Sequence, residues 1–192
     1  RLEAVKLRLR PRFVFSALEA IRPLVYRDPR AAARSVVDLG DLLRLSLQSD
    51  AGRLVPLSDE LSSLRLYLRL EAGRLAPDRA SIDCSPGAES GVVPVLLLQP
   101  VVELALARAG MPCSRLRLEA RAEPPGLRID IEARGAGGAA DAEEDATILR
   151  TGERLRHIYG PDAELIFEPA SGGARVTFAL PERPAGAAEG AA

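Results

Sequence analysis

Apolar residues recur at helical spacing along the first part of the chain, from Leu2 to Leu47: Val14, Leu18, Ile21 and Val25, then Val36, Leu39, Leu42, Leu43 and Leu47. The run divides at Asp28-Pro29, where an aspartate suits a helix cap and a proline suits a first turn. The spacing therefore predicts two helical stretches, the second from Ala31 to Leu47. Ser49-Asp50-Ala51-Gly52 breaks the pattern, and Pro56 with Ser58-Asp59-Glu60 restarts it, Ser58 being the expected cap. Leu61, Leu64, Tyr67, Leu68 and Glu71 carry a third helix toward Arg74, and Pro77 ends it. Residues 1–76 are expected to form a helical antiparallel hairpin with a further helix.

Beyond Pro77 the period changes. Ile82 and Cys84 suggest a short strand, and Pro94 to Ala109 a very apolar helix. Leu116, Leu118, Ala120 and Ala122 alternate with Arg115, Arg117, Glu119 and Arg121, the signature of a half-buried strand. Pro124-Pro125-Gly126 turns the chain into a partner strand in which Leu127, Ile129 and Ile131 alternate with Arg128, Asp130 and Glu132. Residues 135–145, rich in Gly, Ala and acid, show no packing pattern and are expected to be a mobile loop. A helix follows from about Thr147 to Tyr159. Two last strands carry Leu165 and Phe167, then Val176, Phe178 and Leu180, with Ser171-Gly172-Gly173 between them. The fold class is α+β: a helical segment, a second unit over 77–183, and an Ala/Gly-rich tail, 184–192, expected to be disordered.

An apolar share of 47% against 28% charged residues excludes a disordered chain. A net charge of −1 leaves no electrostatic footprint for nucleic acid. Cys84 and Cys113 have neither metal-ligand spacing nor a disulfide framework, and no metal site is expected. No apolar run reaches the roughly 18 residues of a membrane helix. The chain nevertheless opens inside what reads as a helix, with Arg1, Lys6, Arg8, Arg10 and Arg12 close together. That suggests a piece of a longer protein whose opening charges would suit the cytoplasmic side of a membrane segment. The expected location is the cytoplasm, or the cytoplasmic part of an inner-membrane protein.

The succession of motifs resembles the internal-region histidine kinases of the LytS and AlgZ type. Pro11 to Ser16 reads PRFVFS where that family reads PHFLFN. Leu42-Leu43-Arg44, Leu57 with Glu60, Tyr67-Leu68, Glu71 and Arg74 follow in the family's order. Gln99 to Ala109, QPVVELALARA, is similar to the family's QPLVENAIKHG, while Glu153-Arg154-Leu155 and Tyr159-Gly160 match its RERL and YG. The resemblance implies that 1–76 is a dimerisation and phosphoacceptor-like region and that 77–183 is a histidine kinase/Hsp90-type (GHKL) ATPase-like α/β sandwich.

The residues that would carry the chemistry depart from the family. Arg12 stands where the resemblance places the phosphoacceptor His, and a guanidinium has no lone pair with which to attack phosphate. Ser16 replaces Asn, and a serine needs a base beside it to become a nucleophile. His157, the chain's one histidine, belongs to a different helix. Glu103 is retained where the resemblance would place a carboxylate base. Leu104 replaces the Asn that would hold Mg²⁺ and phosphate and offers no oxygen to a hard cation. Arg108 takes the place of His in that motif. The family's DNGxG turn aligns with Ala133-Arg134-Gly135-Ala136-Gly137, which keeps the glycines and loses the adenine acceptor. Its GxGLxN motif aligns with Asp145 to Arg150, including Thr147, beside an acidic run of Asp141, Glu143 and Glu144 that would repel phosphate.

Three lost buried polar contacts at about 1–3 kcal/mol each compare with the roughly 4–8 kcal/mol of a millimolar to micromolar affinity. ATP and Mg²⁺ binding is therefore expected to be weak or absent, with no other cofactor implied. The expected function is a noncatalytic, histidine kinase-like signalling module, or pseudokinase, that forms a homodimer. Its implied partner is a LytTR-type response regulator or an active kinase relative. Two other readings stay open: a divergent kinase or ATPase completed by a partner subunit, and a small-molecule sensor using the emptied nucleotide cleft.

Overall fold

The computed structural model describes residues 11–48, 53–71, 79–110, 113–138 and 142–182. The expectations for Arg1 to Arg10, for the Ser49–Gly52 break, for Pro77 and for the tail lie outside these residues, as do the side chains of Arg12 and Asp145.

Two helices, α1 (Pro11–Arg27) and α2 (Pro29–Gln48), meet at Asp28. The Asp28 carboxylate accepts the Ala31 amide at 2.9 Å, and Pro29 occupies the first turn, where its missing N–H costs nothing. Ala17 and Ile21 of α1 share a core with Ala32, Leu39 and Leu42 of α2. A short strand β1 (Leu54–Pro56) leads directly into α3 (Leu57–Leu70). Helix α3 buries Leu57, Leu61, Leu64, Tyr67 and Leu70, and Arg69 pairs with Asp38 of α2 at 3.1 Å. Ser58 does not cap this helix. Pro56 holds the cap position without a side-chain bond, and the Leu57 amide donates to the Gly91 carbonyl at 2.7 Å.

The second half forms a five-stranded mixed sheet in the order β2-β4-β5-β7-β6. Its strands are β2 (Ala80–Cys84), β4 (Cys113–Glu123), β5 (Gly126–Gly135), β6 (Glu164–Ala170) and β7 (Gly173–Pro181). Strand β2 runs parallel to β4 and the other pairs are antiparallel. A separate ladder pairs β1 with β3 (Val92–Pro94), Val55 lying opposite Val93. Two helices cover one face of the sheet, α4 (Leu98–Ala109) against β5 and β7, and α5 (Ala142–Tyr159) against β6 and α4.

The alternation read in β4 and β5 sets the two faces of the sheet. Leu116, Leu118, Ile129, Ile131, Val176 and Phe178 point into the helix-covered core, each large apolar side chain contributing about 1.5–3 kcal/mol by burial. Arg117, Glu119, Arg128, Asp130, Glu132 and Arg175 lie on the open face in a lattice of ion pairs. The core is continuous from Ala17 in α1 to Leu180 in β7.

Two element boundaries differ from the sequence expectation. The apolar stretch from Pro94 does not start a helix there: Pro94 ends β3, Leu96 takes a left-handed φ of 56°, and α4 begins only at Leu98. Helix α5 begins at Ala142 rather than near Thr147, so the end of the stretch expected to be a loop is helical. Alanine and glutamate favour the helix there even though no apolar period marks it.

Candidate functional site

Helix α4 spans about 18 Å at 1.5 Å per residue, and candidate chemistry lies at both of its ends. At the N-terminus the helix has no local cap: Leu97 holds the cap position and Leu98-Gln99-Pro100 opens the first turn. The acceptor comes from α3. The Glu60 carboxylate, 2% exposed, takes the amides of Leu96 at 2.5 Å, Leu97 at 3.0 Å and Leu98 at 3.2 Å. A carboxylate at this position also meets the positive end of the helix dipole.

From the other side, α5 holds the same backbone by its carbonyls. The Arg154 guanidinium donates to Val95 O at 3.0 Å, and the Tyr159 hydroxyl donates to Val92 O at 2.5 Å. Burial pushes the Glu60 carboxyl up, while the three amides and the Arg154 charge pull it back. Burial lowers the Arg154 guanidinium, and the charge of Glu60 opposes the change. The Tyr159 phenol is pushed up to about 12 by burial, against the Arg154 charge. This clamp holds Leu96 in a backbone region that costs a non-glycine residue about 1–2 kcal/mol.

Sequence reasoning had placed Glu60, Arg154 and Tyr159 only as positions matching the family. Their convergence spans 36 residues from Glu60 to Leu96 and 67 from Val92 to Tyr159, beyond any local pattern. The signal available was indirect: a helix opening on Leu-Leu-Gln-Pro with no Ser, Thr, Asp or Asn before it needs an acceptor from elsewhere.

The nucleotide-site positions gather at the C-terminal half of α4. The chain leaving β5 docks there by backbone, Gly137 N donating to Ala109 O and Gly138 N to Arg108 O, both at 2.8 Å. Gly135 N donates to Gly172 O at 2.7 Å in the β6–β7 turn. Gly110, at φ 67°, sits so close that an added Cβ would meet the Gly137 carbonyl oxygen at 2.6 Å, and one on Gly138 would collide with the Ala107 carbonyl. The glycines of this segment therefore serve close backbone packing.

Leu104 and Ala133 are both buried, at 3% and 1% exposure, and present only hydrocarbon. The Arg108 guanidinium lies 5.4 Å from the centroid of the Phe167 ring, a cation–π contact. Glu103 is half-buried on the same helix. Arg134 is not brought into this group: it projects from the open face of the sheet and pairs with Glu132. On α5, Thr147 is buried and Arg150 is exposed, with Arg150 Nη2 at 3.5 Å from Thr147 Oγ1. Arg12 and Ser16 belong to α1, which packs on α2 and α3. His157 is exposed near the end of α5.

Known proteins agree with this architecture. The histidine kinase family profile matches residues 1–79. The sensor protein LytS of Enterococcus faecalis is 23% identical over 199 residues, covering 94% of this chain and 34% of its own length. The sensor histidine kinase BtsS of Escherichia coli is 27% identical over 182 residues, covering 90% of this chain and 32% of its own. The chain thus spans about a third of the length of these relatives. Among solved structures, a bacterial phosphotransferase superposes with a TM-score of 0.54 at 12% identity, covering 88% of each chain. The catalytic domain of the histidine kinase ThkA superposes with a TM-score of 0.50 at 11% identity, covering 69% of this chain and 97% of that domain, a likeness of fold alone. With the family's motifs in order from α1 to α5 and relatives matched along nearly its whole length, the chain is similar to the LytS-type sensor histidine kinases.

Proposed function

We propose that this chain is a noncatalytic, histidine kinase-like module of two-component signalling, acting through dimerisation and protein contact. The observation that carries the reading is the pairing of Leu104 and Ala133, buried hydrocarbon at the positions where the family binds magnesium and adenine. Arg12, at the acceptor position, supports it independently, since it has no electron pair to offer phosphate. The kinship with LytS proteins supports a response regulator as partner, of the LytTR type or reached through an active kinase relative. Among the described residues no helix is long and apolar enough to cross a membrane, and the cytoplasmic side of a sensor protein is the proposed location.

Dimerisation is supported by the outer faces of the helical hairpin. Phe15, Leu18 and Val25 of α1 and Val36 and Val37 of α2 are exposed apolar residues, most of them flanking the stripe buried in the core. Two such hairpins packed face to face would bury them as a helix bundle. Placing Glu at Phe15 and Val36 should convert a dimer to a monomer in sedimentation analysis.

Calorimetric titration with Mg-ATP tests the reading, and no saturable heat at micromolar concentration is expected. Acid-labile label on the chain after incubation with γ-labelled ATP, lost on His157→Ala, would overturn it. The second reading, a divergent kinase completed by a partner subunit, is favoured by the half-buried Glu103 on the helix of the nucleotide-site positions. It predicts Mg-ATP binding only when the active relative is added.

A further inference from the structure

We infer that Glu60 is an interdomain latch: its carboxylate fastens α3 to the first turn of α4, so that the helical hairpin and the core helix of the α/β unit move as one body. The inference goes beyond the proposed signalling role and holds whether or not nucleotide binds.

Three observations carry it. First, the bond set is one-sided: the amides of Leu96, Leu97 and Leu98, which lead into α4, all donate to the buried carboxylate of α3. Without Glu60 those amides would be buried donors in search of an acceptor, at the end of a helix that has no cap of its own. Second, the neighbouring contacts converge on the same seven-residue link. Val95 N donates to Arg53 O at 3.0 Å, the β1–β3 ladder precedes it, and Arg154 and Tyr159 hold its carbonyls. Third, Leu96 at φ 56° is held in a conformation its side chain disfavours, between the bonds made by Glu60 and Arg154. Strained backbone of this kind persists only where its surroundings over-determine it.

A continuous mechanical route follows. The hairpin meets α3 through the Asp38–Arg69 pair and the shared core. Glu60 joins α3 to the start of α4. The last carbonyls of α4 hold Gly137 and Gly138 beside the nucleotide-site positions. Glu60 is thus a positioning residue, acting on the distant cleft through α4.

Native-state amide exchange on the 192-residue chain, followed by NMR in low urea, tests the latch. In the unaltered chain, Leu97 and Leu98 should open together with Leu64 and Tyr67 of α3, with the same urea dependence. In Glu60→Gln, which keeps the side-chain shape and removes the charge, Leu97 and Leu98 should exchange at least about tenfold faster than the α3 amides, the scale of a lost charged hydrogen bond. Ile129 in β5 should keep its protection. If Leu97 and Leu98 retain their original rates in that variant, or still share the rate of α3, the latch is wrong, whereas a purely structural role would move all amides together. Should Glu60→Gln fail to fold, Arg154→Lys carries the test with Glu60 intact. There, Leu97 and Leu98 still opening together with α3 supports the latch, and Leu97 and Leu98 exchanging faster than α3 with Glu60 in place overturns it.

Discussion

At the N-terminal end of α4, the family-matching residues Glu60, Arg154 and Tyr159 each hydrogen-bond to the backbone of residues 92–98. At its C-terminal half, Leu104 and Ala133, at the positions that align with the family's ligand-binding motifs, are buried hydrocarbon, while Gly135 and Gly137 donate backbone hydrogen bonds to Gly172 and Ala109. The two regions differ in what their side chains hold. A carboxylate that satisfies buried amides cannot be lost without stranding them. A residue that meets only a diffusing ligand can become hydrocarbon and still pack. In this chain the groups that hold the fold and those that would perform chemistry therefore occupy different ends of one helix.

The largest expected effect lies at the clamp. Glu60→Ala should lower the unfolding free energy by about 3–4 kcal/mol, since it strands the amides and leaves Arg154 without its opposing charge. Urea denaturation would measure it, and a loss below about 1 kcal/mol would erase the contrast between the two ends. At the other end, Leu104→Asn restores a family residue in a buried position. The expected cost is about 1–3 kcal/mol of stability, with no heat of Mg-ATP binding in the calorimeter. Gained affinity would mean that a single side chain separates this cleft from a working one.

Features with a local period were legible in the sequence. The α1–α2 turn followed from Asp28-Pro29, and the β4–β5 hairpin from strict alternation on both sides of Pro124-Pro125-Gly126. The β1–β3 ladder was not. Leu54-Val55-Pro56 and Val92-Val93-Pro94 are too short for a period, and each carries a proline that argues against a strand. The start of α4 was misplaced because Val95, Leu96 and Leu97 continue the apolar run, and only the distant Glu60 shows where the helix begins. The positions aligned with the family's nucleotide site rest on motif order, while the role of the clamp residues required the tertiary structure.

A smaller effect separates the clamp's hydroxyl from its charges. Tyr159→Phe removes the bond to Val92 O and should cost about 1–1.5 kcal/mol at neutral pH. The phenol, ordinarily near 10, is pushed up to about 12 in the folded chain. Between those values the unfolded chain has released its proton and the folded chain keeps it, so stability falls as pH rises through this window. Unfolding measured from pH 9 to pH 12 should show that decline, and the Phe variant should lose this tyrosine's share of it. An unchanged decline would place the titration on another group.

The smallest effect is expected at Arg134, the one side chain of the aligned adenine turn that projects from the open sheet face. Its guanidinium pairs with Glu132, but 68% of the side chain is in solvent, and Glu132 also meets Arg175 at 3.4 Å. An exposed pair of this kind contributes about 0–1 kcal/mol. Because Arg175 remains to hold the carboxylate, Arg134→Ala should shift stability by less than about 0.5 kcal/mol. A thermal-unfolding midpoint indistinguishable from that of the unaltered chain fits this expectation. A loss as large as that of Glu60→Ala would mean that the cleft end carries structural weight in its side chains as well as in its glycine backbone, and the division along α4 would fail.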